Sequence, residues 1–167
     1  DLTIHPFSTP HDAANPCGFS IHNGKKRLSI ATDLGHMDNK IIEELKGSSF
    51  ILLESNYDPE ILKVSRYPFS LKSRISGPNG HLSNSTAGKT ISVLMKNDLK
   101  EVMLGHLSKE NNFPELAYKT VVDEVTGETK RVEMSVGESW EKASDLAFQT
   151  VKLGQTSFPE LASSMGK

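Results

Sequence analysis

The sequence predicts a domain of α+β class, a β-sheet covered by helices, and three observations carry that reading. Continuous apolar runs at Phe50–Leu53 and Val102–Gly105 are short and bounded, as strands buried on both faces are. Segments with apolar residues at helical spacing lie between such runs, so strand, helix and strand follow one another as in a βαβ crossover. Several of the runs also end in a histidine or a carboxylate: Ile30-Ala31-Thr32-Asp33-Leu34-Gly35-His36 and Leu99-Lys100-Glu101-Val102-Met103-Leu104-Gly105-His106. Strand ends are where α/β folds place their functional groups.

The elements follow in chain order. Leu2 to Phe7 alternates apolar with polar and predicts a half-buried strand. Cys17–His22 and Lys26–Ala31 predict two more, joined by Asn23-Gly24, a strong short hairpin signal. Met37, Ile41, Ile42 and Leu45 recur at helical spacing, with Asp38 near the start and Gly47 just past the end. Asp58-Pro59 opens a short helix, with proline in the first turn where its missing N–H costs nothing. Tyr67 to Gly80, punctuated by Pro68, Gly77-Pro78 and Asn79-Gly80, predicts an irregular stretch. Ser83 to Met95 predicts a helix capped by Ser or Asn, and Phe113 to Val122 another. A turn at Val125–Glu128 leads to a polar strand at Lys130–Met134, then to an amphipathic helix at Trp140–Val151. Residues 1–153 are expected to form the domain, and Gly154–Lys167, Ser/Gly-rich, a weakly ordered tail.

The composition is that of a globular protein of one domain, at 167 residues with 24% charged side chains. A net charge of −2 gives no global attraction to nucleic acid, although a local basic patch is compatible with it. No apolar run approaches the roughly 20 residues of a membrane span, and no secretory signal is visible, so no membrane association is expected. A single cysteine, Cys17, forms no internal disulfide; a reducing, cytoplasmic compartment is the expectation. Cys17 itself reads as a small buried hydrophobe beside Gly18-Phe19. The chain begins Asp1-Leu2-Thr3 without a methionine and reads like a fragment of a larger product.

Six histidines are present. His11 sits in a Pro-His-Asp loop after a strand, and Asp33 and His106 end strands of their own. Imidazole and carboxylate are the donors that hold Zn²⁺ or Mn²⁺ without redox chemistry. His81, in Gly80-His81-Leu82-Ser83-Asn84, is either an exposed loop residue or a general acid poised near neutral pH. His36 is a partner for Asp33 or a substrate contact, and Glu54 is placed to orient an imidazole, in a polar cluster whose Asp58 reads as the cap of the helix that follows. His5 and His22 read as strand-surface residues. Lys63, Arg66, Lys72 and Arg74 line one irregular stretch, as a solvated surface or as contacts to a phosphate backbone.

Five segments together resemble the metallo-β-lactamase-fold hydrolases, and within them the YycJ/WalJ/VicX branch. They are Thr9-Pro10-His11-Asp12-Ala13, Ala31 to His36, Leu52-Leu53-Glu54-Ser55-Asn56-Tyr57-Asp58, Gly80 to Asn84, and Leu104 to Asn112. The resemblance implies an αββα sandwich of two similar halves with a dinuclear site along one edge. It implies that His11 ligates one metal, Asp33 bridges two, and His106 ligates the second. His81 then corresponds to the additional histidine that serves related phosphodiesterases, with Glu54 and Asp33 beside it in catalysis. Asp12, His36, Ser83, Asn84, Ser108 and Asn111 are expected behind the ligands or against substrate. The family's His-x-His-x-Asp-His motif is absent from this sequence, so the chain is expected to be mainly the second, C-terminal half, with the N-terminal half of the same fold as its partner.

The activity so implied is metal-assisted phosphodiester hydrolysis with two divalent ions, Zn or Mn, by a 5′-to-3′ exonuclease acting on double-stranded DNA. The alternatives are a small-molecule phosphodiester or thioester hydrolase on the same fold, or, for the half-chain alone, an inactive interaction module.

Overall fold

A computed structural model describes residues 1–97, 99–125, 133–136 and 151–152. Its centre is one sheet of seven strands in chain order: β1 (Thr3–Ser8), β2 (Cys17–His22), β3 (Arg27–Ala31), β4 (Phe50–Glu54), β5 (Glu101–Gly105), β6 (Glu133–Val136) and β7 (Val151–Lys152). The pairs β1–β2, β2–β3 and β6–β7 are antiparallel, and β3 to β6 run parallel. A parallel pair cannot be joined by a tight turn, so helices make the crossovers. These are α1 (Asn39–Leu45) between β3 and β4, then α2 (Pro59–Val64), α3 (Phe69–Ile75) and α4 (Asn84–Leu94) between β4 and β5, and α5 (Pro114–Val125) between β5 and β6.

Local chemistry fixes most boundaries as expected. Gly24 adopts a φ of 83° in the β2–β3 hairpin, while the Asn23 side chain accepts the Lys25 and Lys26 N–H groups. Asp38, Asp58 and Ser83 cap α1, α2 and α4 by accepting the first free N–H groups. At the other end of α1, the Arg27 guanidinium donates to the Lys46 and Glu44 carbonyls. Gly88 lets α4 lie against α5; a Cβ there would come within 2.6 Å of the Glu124 Cβ.

The two faces of the sheet differ. Ser29, Ala31, Ile51, Leu53, Val102, Leu104 and Met134 share one face and are buried with Ile41, Leu45, Ile91 and Val121 in the core. The opposite face carries Ile4, Phe19, Ile21, Leu28, Ile30, Phe50, Leu52 and Met103, apolar in register yet half-buried or exposed. Ile4 and Phe19 keep 61% and 37% of their surface in solvent.

Two expectations are corrected. Tyr67–Gly80 is not irregular throughout, because α3 occupies Phe69–Ile75. Its residues include no buried ones, so no periodic apolar stripe marks it. Cys17 is exposed rather than buried. Strand alternation sets it on the same face as Phe19 and Ile21, and that face is open. Of the later expectations, the Val125–Glu128 turn beyond Val125, Lys130–Val132 of the predicted strand, the Trp140–Val151 helix before Val151, and the tail lie outside the described residues; Val151 itself pairs with Met134 in β7. No helix among the described residues is long and apolar enough to cross a membrane.

Candidate metal centre

Three parallel strands deliver one group each to the same edge: Asp33 follows β3, Glu54 ends β4 and His106 follows β5. Asp33 and His106 both take left-handed backbone, with φ of 57° and 56°. Such residues cost on the order of 1 kcal/mol and cluster at functional sites. His11 reaches in from the β1–β2 loop, and His81 from the loop before α4. With Asp12, Asn56 and Ser108 they line a cavity of about 420 Å³ whose far wall is Tyr67 and, on α3, Leu71, Arg74 and Ile75.

Glu54 organises the cluster. Its side chain is fully buried, and one carboxylate oxygen accepts from His81 Nδ1 at 2.6 Å and His106 Nδ1 at 2.7 Å. The other oxygen accepts the Leu34 N–H at 3.0 Å. Burial pushes this carboxyl up, but the hydrogen bonds from His106 and His81 outweigh it and hold the group below its ordinary value. In return, the Glu54 hydrogen bond raises His106 above its ordinary value, against the opposing effect of burial. Both imidazoles thus spend Nδ1 on Glu54 and keep Nε2 for the cavity. His11 is fixed in the same way, through Nδ1 to the Gly80 carbonyl at 2.9 Å.

The free nitrogens of His11 and His106 converge on Asp33, whose Oδ1 lies 3.6 Å from each Nε2. His81 comes within 4.0 Å of the same oxygen through Nδ1, the nitrogen already bonded to Glu54. Donors sharing one tetrahedral ion at bond lengths near 2.0–2.1 Å stand roughly 3.3 Å apart, close to the spacing that His11 and His106 each keep from Asp33. Asp33, Glu54, His81 and His106 form the metal-competent group among the described residues. Within it Glu54 stands behind the imidazoles and orients them.

The loops that carry these groups are packed backbone to backbone. Gly35 donates to the Pro10 carbonyl at 2.9 Å, and Asp12 to the Asn79 carbonyl at 3.0 Å. A Cβ at Gly35 would come within 2.5 Å of the Gly80 nitrogen, and one at Gly80 within 2.2 Å of the Arg74 carbonyl. Glycine is required at both contacts.

The remaining expected residues divide by place. Asp12 is at the cavity, 3.7 Å from His11 Nε2, and Arg74 grips it with two hydrogen bonds that hold its carboxyl below the ordinary value. His36 is exposed and outside the cavity, with Nδ1 at 2.8 Å from the Pro78 carbonyl. Ser83 caps α4, and Asn84 is buried beneath the site. Ser108 lines the cavity, and Asn111 is buried beside it with its amide on the Ser108 hydroxyl. Arg74 is a cavity residue, whereas Lys63 and Lys72 lie across α3 in a separate groove and Arg66 is exposed nearby.

Sequence reasoning missed Asn56 and Asn112. Asn56 donates to the His106 carbonyl at 2.8 Å, and Asn112 donates to the Ser55 and Asn56 carbonyls while exchanging amide hydrogen bonds with Asn84. They set the loops after β4 and β5 against each other. The signal was two asparagines in tandem, Asn111-Asn112, downstream of a strand-end histidine.

The fold is the metallo-β-lactamase fold, and this chain belongs to the proteins that share it. Solved structures show the likeness: the metallo-β-lactamase fold protein YhfI of Bacillus subtilis (TM-score 0.55, 15% identity, 83% of this chain and 48% of that one) and Zn²⁺-bound PqqB of Methylobacterium extorquens (TM-score 0.53, 15% identity, the same coverage). Among curated proteins it is homologous to exodeoxyribonuclease YycJ of Bacillus anthracis, 36% identical over 121 residues, 72% of this chain and 46% of the relative. Exodeoxyribonuclease WalJ of Streptococcus pneumoniae serotype 2 is 35% identical over 125 residues, 75% of this chain and 46% of the relative. The chain spans about half the length of these relatives. No protein-family model matches the sequence.

Proposed function

We propose that the chain is the C-terminal half, residues 1–153 with a tail at 154–167, of a metal-dependent phosphodiesterase, a 5′-to-3′ exonuclease on double-stranded DNA. The observation that carries the reading is the convergence of His11 Nε2, Asp33 Oδ1 and His106 Nε2 in one open cavity, with Glu54 orienting His106 from behind. The names of the YycJ and WalJ homologues support the substrate class. The open apolar face supports the partner: a second sheet from the other half of the fold covers it and brings the ligands this sequence lacks.

His11, Asp33 and His106 would hold two divalent ions, Zn or Mn. When bound, such a pair supplies a water acidified toward neutrality and neutralises charge on the phosphoryl oxygens. This chain's residues then do the following. Glu54 locks the tautomer of His106, so that its Nε2 is a lone-pair donor. It locks His81 the same way, and a second proton on His81 Nε2 is available to the leaving oxygen. Arg74 leaves or shares Asp12 to meet a phosphate as a bidentate donor. Tyr67, with Leu71 and Ile75 of α3, keeps one wall apolar and limits water.

The test uses the full-length gene product with duplexes labelled at the 5′ or 3′ end. Release of 5′ mononucleotides that requires Mn²⁺ or Zn²⁺, and that is lost in Asp33→Asn, is expected. A protein that spares every duplex but hydrolyses a small chromogenic phosphodiester would make it a small-molecule hydrolase.

A further inference from the structure

We propose that the groove between α2 and α3 binds an unpaired stretch of the DNA strand, with a base stacked on Phe69 and phosphates at Lys63 and Lys72; the inference rests on the nuclease reading above. The groove, of about 380 Å³, has Tyr57, Pro59 and Leu62 as its floor and wall, and Phe69, Lys63 and Lys72 around it. Phe69 leaves 84% of its surface in solvent at the first position of α3. Nothing in the domain's core uses that ring, and an exposed phenyl beside cations offers a π-face to any base. Lys72 Nζ donates to the Lys63 carbonyl at 2.7 Å, which fixes its cation beside α2, and Lys63 Nζ lies 3.6 Å from Glu60. The groove's lining itself contains no acid.

Placement ties this groove to the metal centre. A single helix separates them: Leu71, Arg74 and Ile75 face the metal cavity, and Phe69, Lys72, Ser73 and Ser76 face the groove. A helix with its side chains is about 10 Å across. That is roughly three nucleotides of rise along one strand. A strand whose terminal phosphate sits at the metals can therefore pass Arg74, cross α3 and lay a base on Phe69. Charge and stacking without base-edge donors predict tolerance of sequence and sensitivity to salt.

The test compares the full-length gene product with its Phe69→Ala and Phe69→Tyr variants and a Lys63→Ala/Lys72→Ala double variant. Binding to fluorescent oligonucleotides carrying single-stranded ends of one to six nucleotides is read by anisotropy in EDTA. Hydrolysis of bis(p-nitrophenyl) phosphate and of duplex is read with Mn²⁺. The expected result is about tenfold weaker binding of the longer ends by Phe69→Ala, recovery in Phe69→Tyr, a flatter salt dependence in the double lysine variant, and unchanged turnover of the small substrate by Phe69→Ala. Wild-type protein that processes DNA while Phe69→Ala matches it on every end length overturns the groove alone. A change in oligomeric state of Phe69→Ala with no change in DNA binding does so too, by making the ring a protein contact. Wild-type protein that neither binds nor cuts DNA overturns the nuclease reading and the groove with it.

Discussion

The two faces of the sheet are built from the same kinds of residue and end in different environments. Leu53 and Leu104 on one face are fully buried under α1, α4 and α5, whereas Leu52 and Met103, their chain neighbours on the other face, are only partly buried. Isolated exposed hydrophobics are ordinary, but a continuous apolar face across four or five strands marks an interface. The sealed face is this chain's core; the open face leaves apolar side chains in solvent. The metal-competent cluster sits at the sheet edge between the two.

The largest effect that would sharpen this contrast is a pair of truncations. Leu53→Ala should cost about 3 kcal/mol in urea denaturation of this chain, and Leu52→Ala less than about 1.5. In the full-length gene product the cost of Leu52→Ala should climb toward that of Leu53→Ala. An unchanged small cost there would mean the open face stays open.

Next in size is Glu54→Gln, which should weaken metal retention by about 10- to 100-fold while leaving the fold intact. Without metal, the same variant tests the Glu54–His106 pair. Glu54, lowered in the folded state, stabilises above its ordinary value of 4.5 and loses that contribution as pH falls through the lowered value. His106, raised, stabilises fully below 6.5 and loses the contribution as pH rises through the raised value. The difference between wild type and Glu54→Gln in apo thermal melts should thus be widest between about pH 4.5 and 6.5, on the order of 3 kcal/mol. A difference that stays level from about pH 4.5 to pH 9 would show that the imidazole's charge contributes nothing.

Smaller still is the effect of Phe19→Glu on the open face. It should change this chain's stability by no more than about 0.5 kcal/mol yet suppress self-association seen by light scattering. Equal aggregation of both proteins would place the sticky surface elsewhere.

The parts of this molecule legible in its sequence are those with a local physical cause. Asn23-Gly24 dictated a hairpin, and Asp38, Asp58 and Ser83 announced their helices by cap chemistry. His11, Asp33, Glu54, His81 and His106 could be singled out because strand-end placement is visible in the chain, and the structure brings all five to one cavity or its back wall. What failed had causes outside the local window. α3 has no buried residue to set a period, and two prolines flank it. Cys17 follows a buried-strand pattern on a face of the sheet that stays open in this chain. Asn56 and Asn112 act through contacts 50 and 56–57 residues away, which no spacing rule reaches.

The interlocked glycine loops carry one further consequence. Because Gly35 bonds Pro10, Asp12 bonds Asn79, and His11 bonds Gly80, the segments bearing His11, Asp33 and His81 have no independent hinges. They should open as one cooperative unit in hydrogen exchange, the Asp12 and Gly35 amides being released together. A chelator would then meet an all-or-none centre: ions leave when the whole clasp opens, and the rate of their loss reports a folding equilibrium rather than the strength of any single bond.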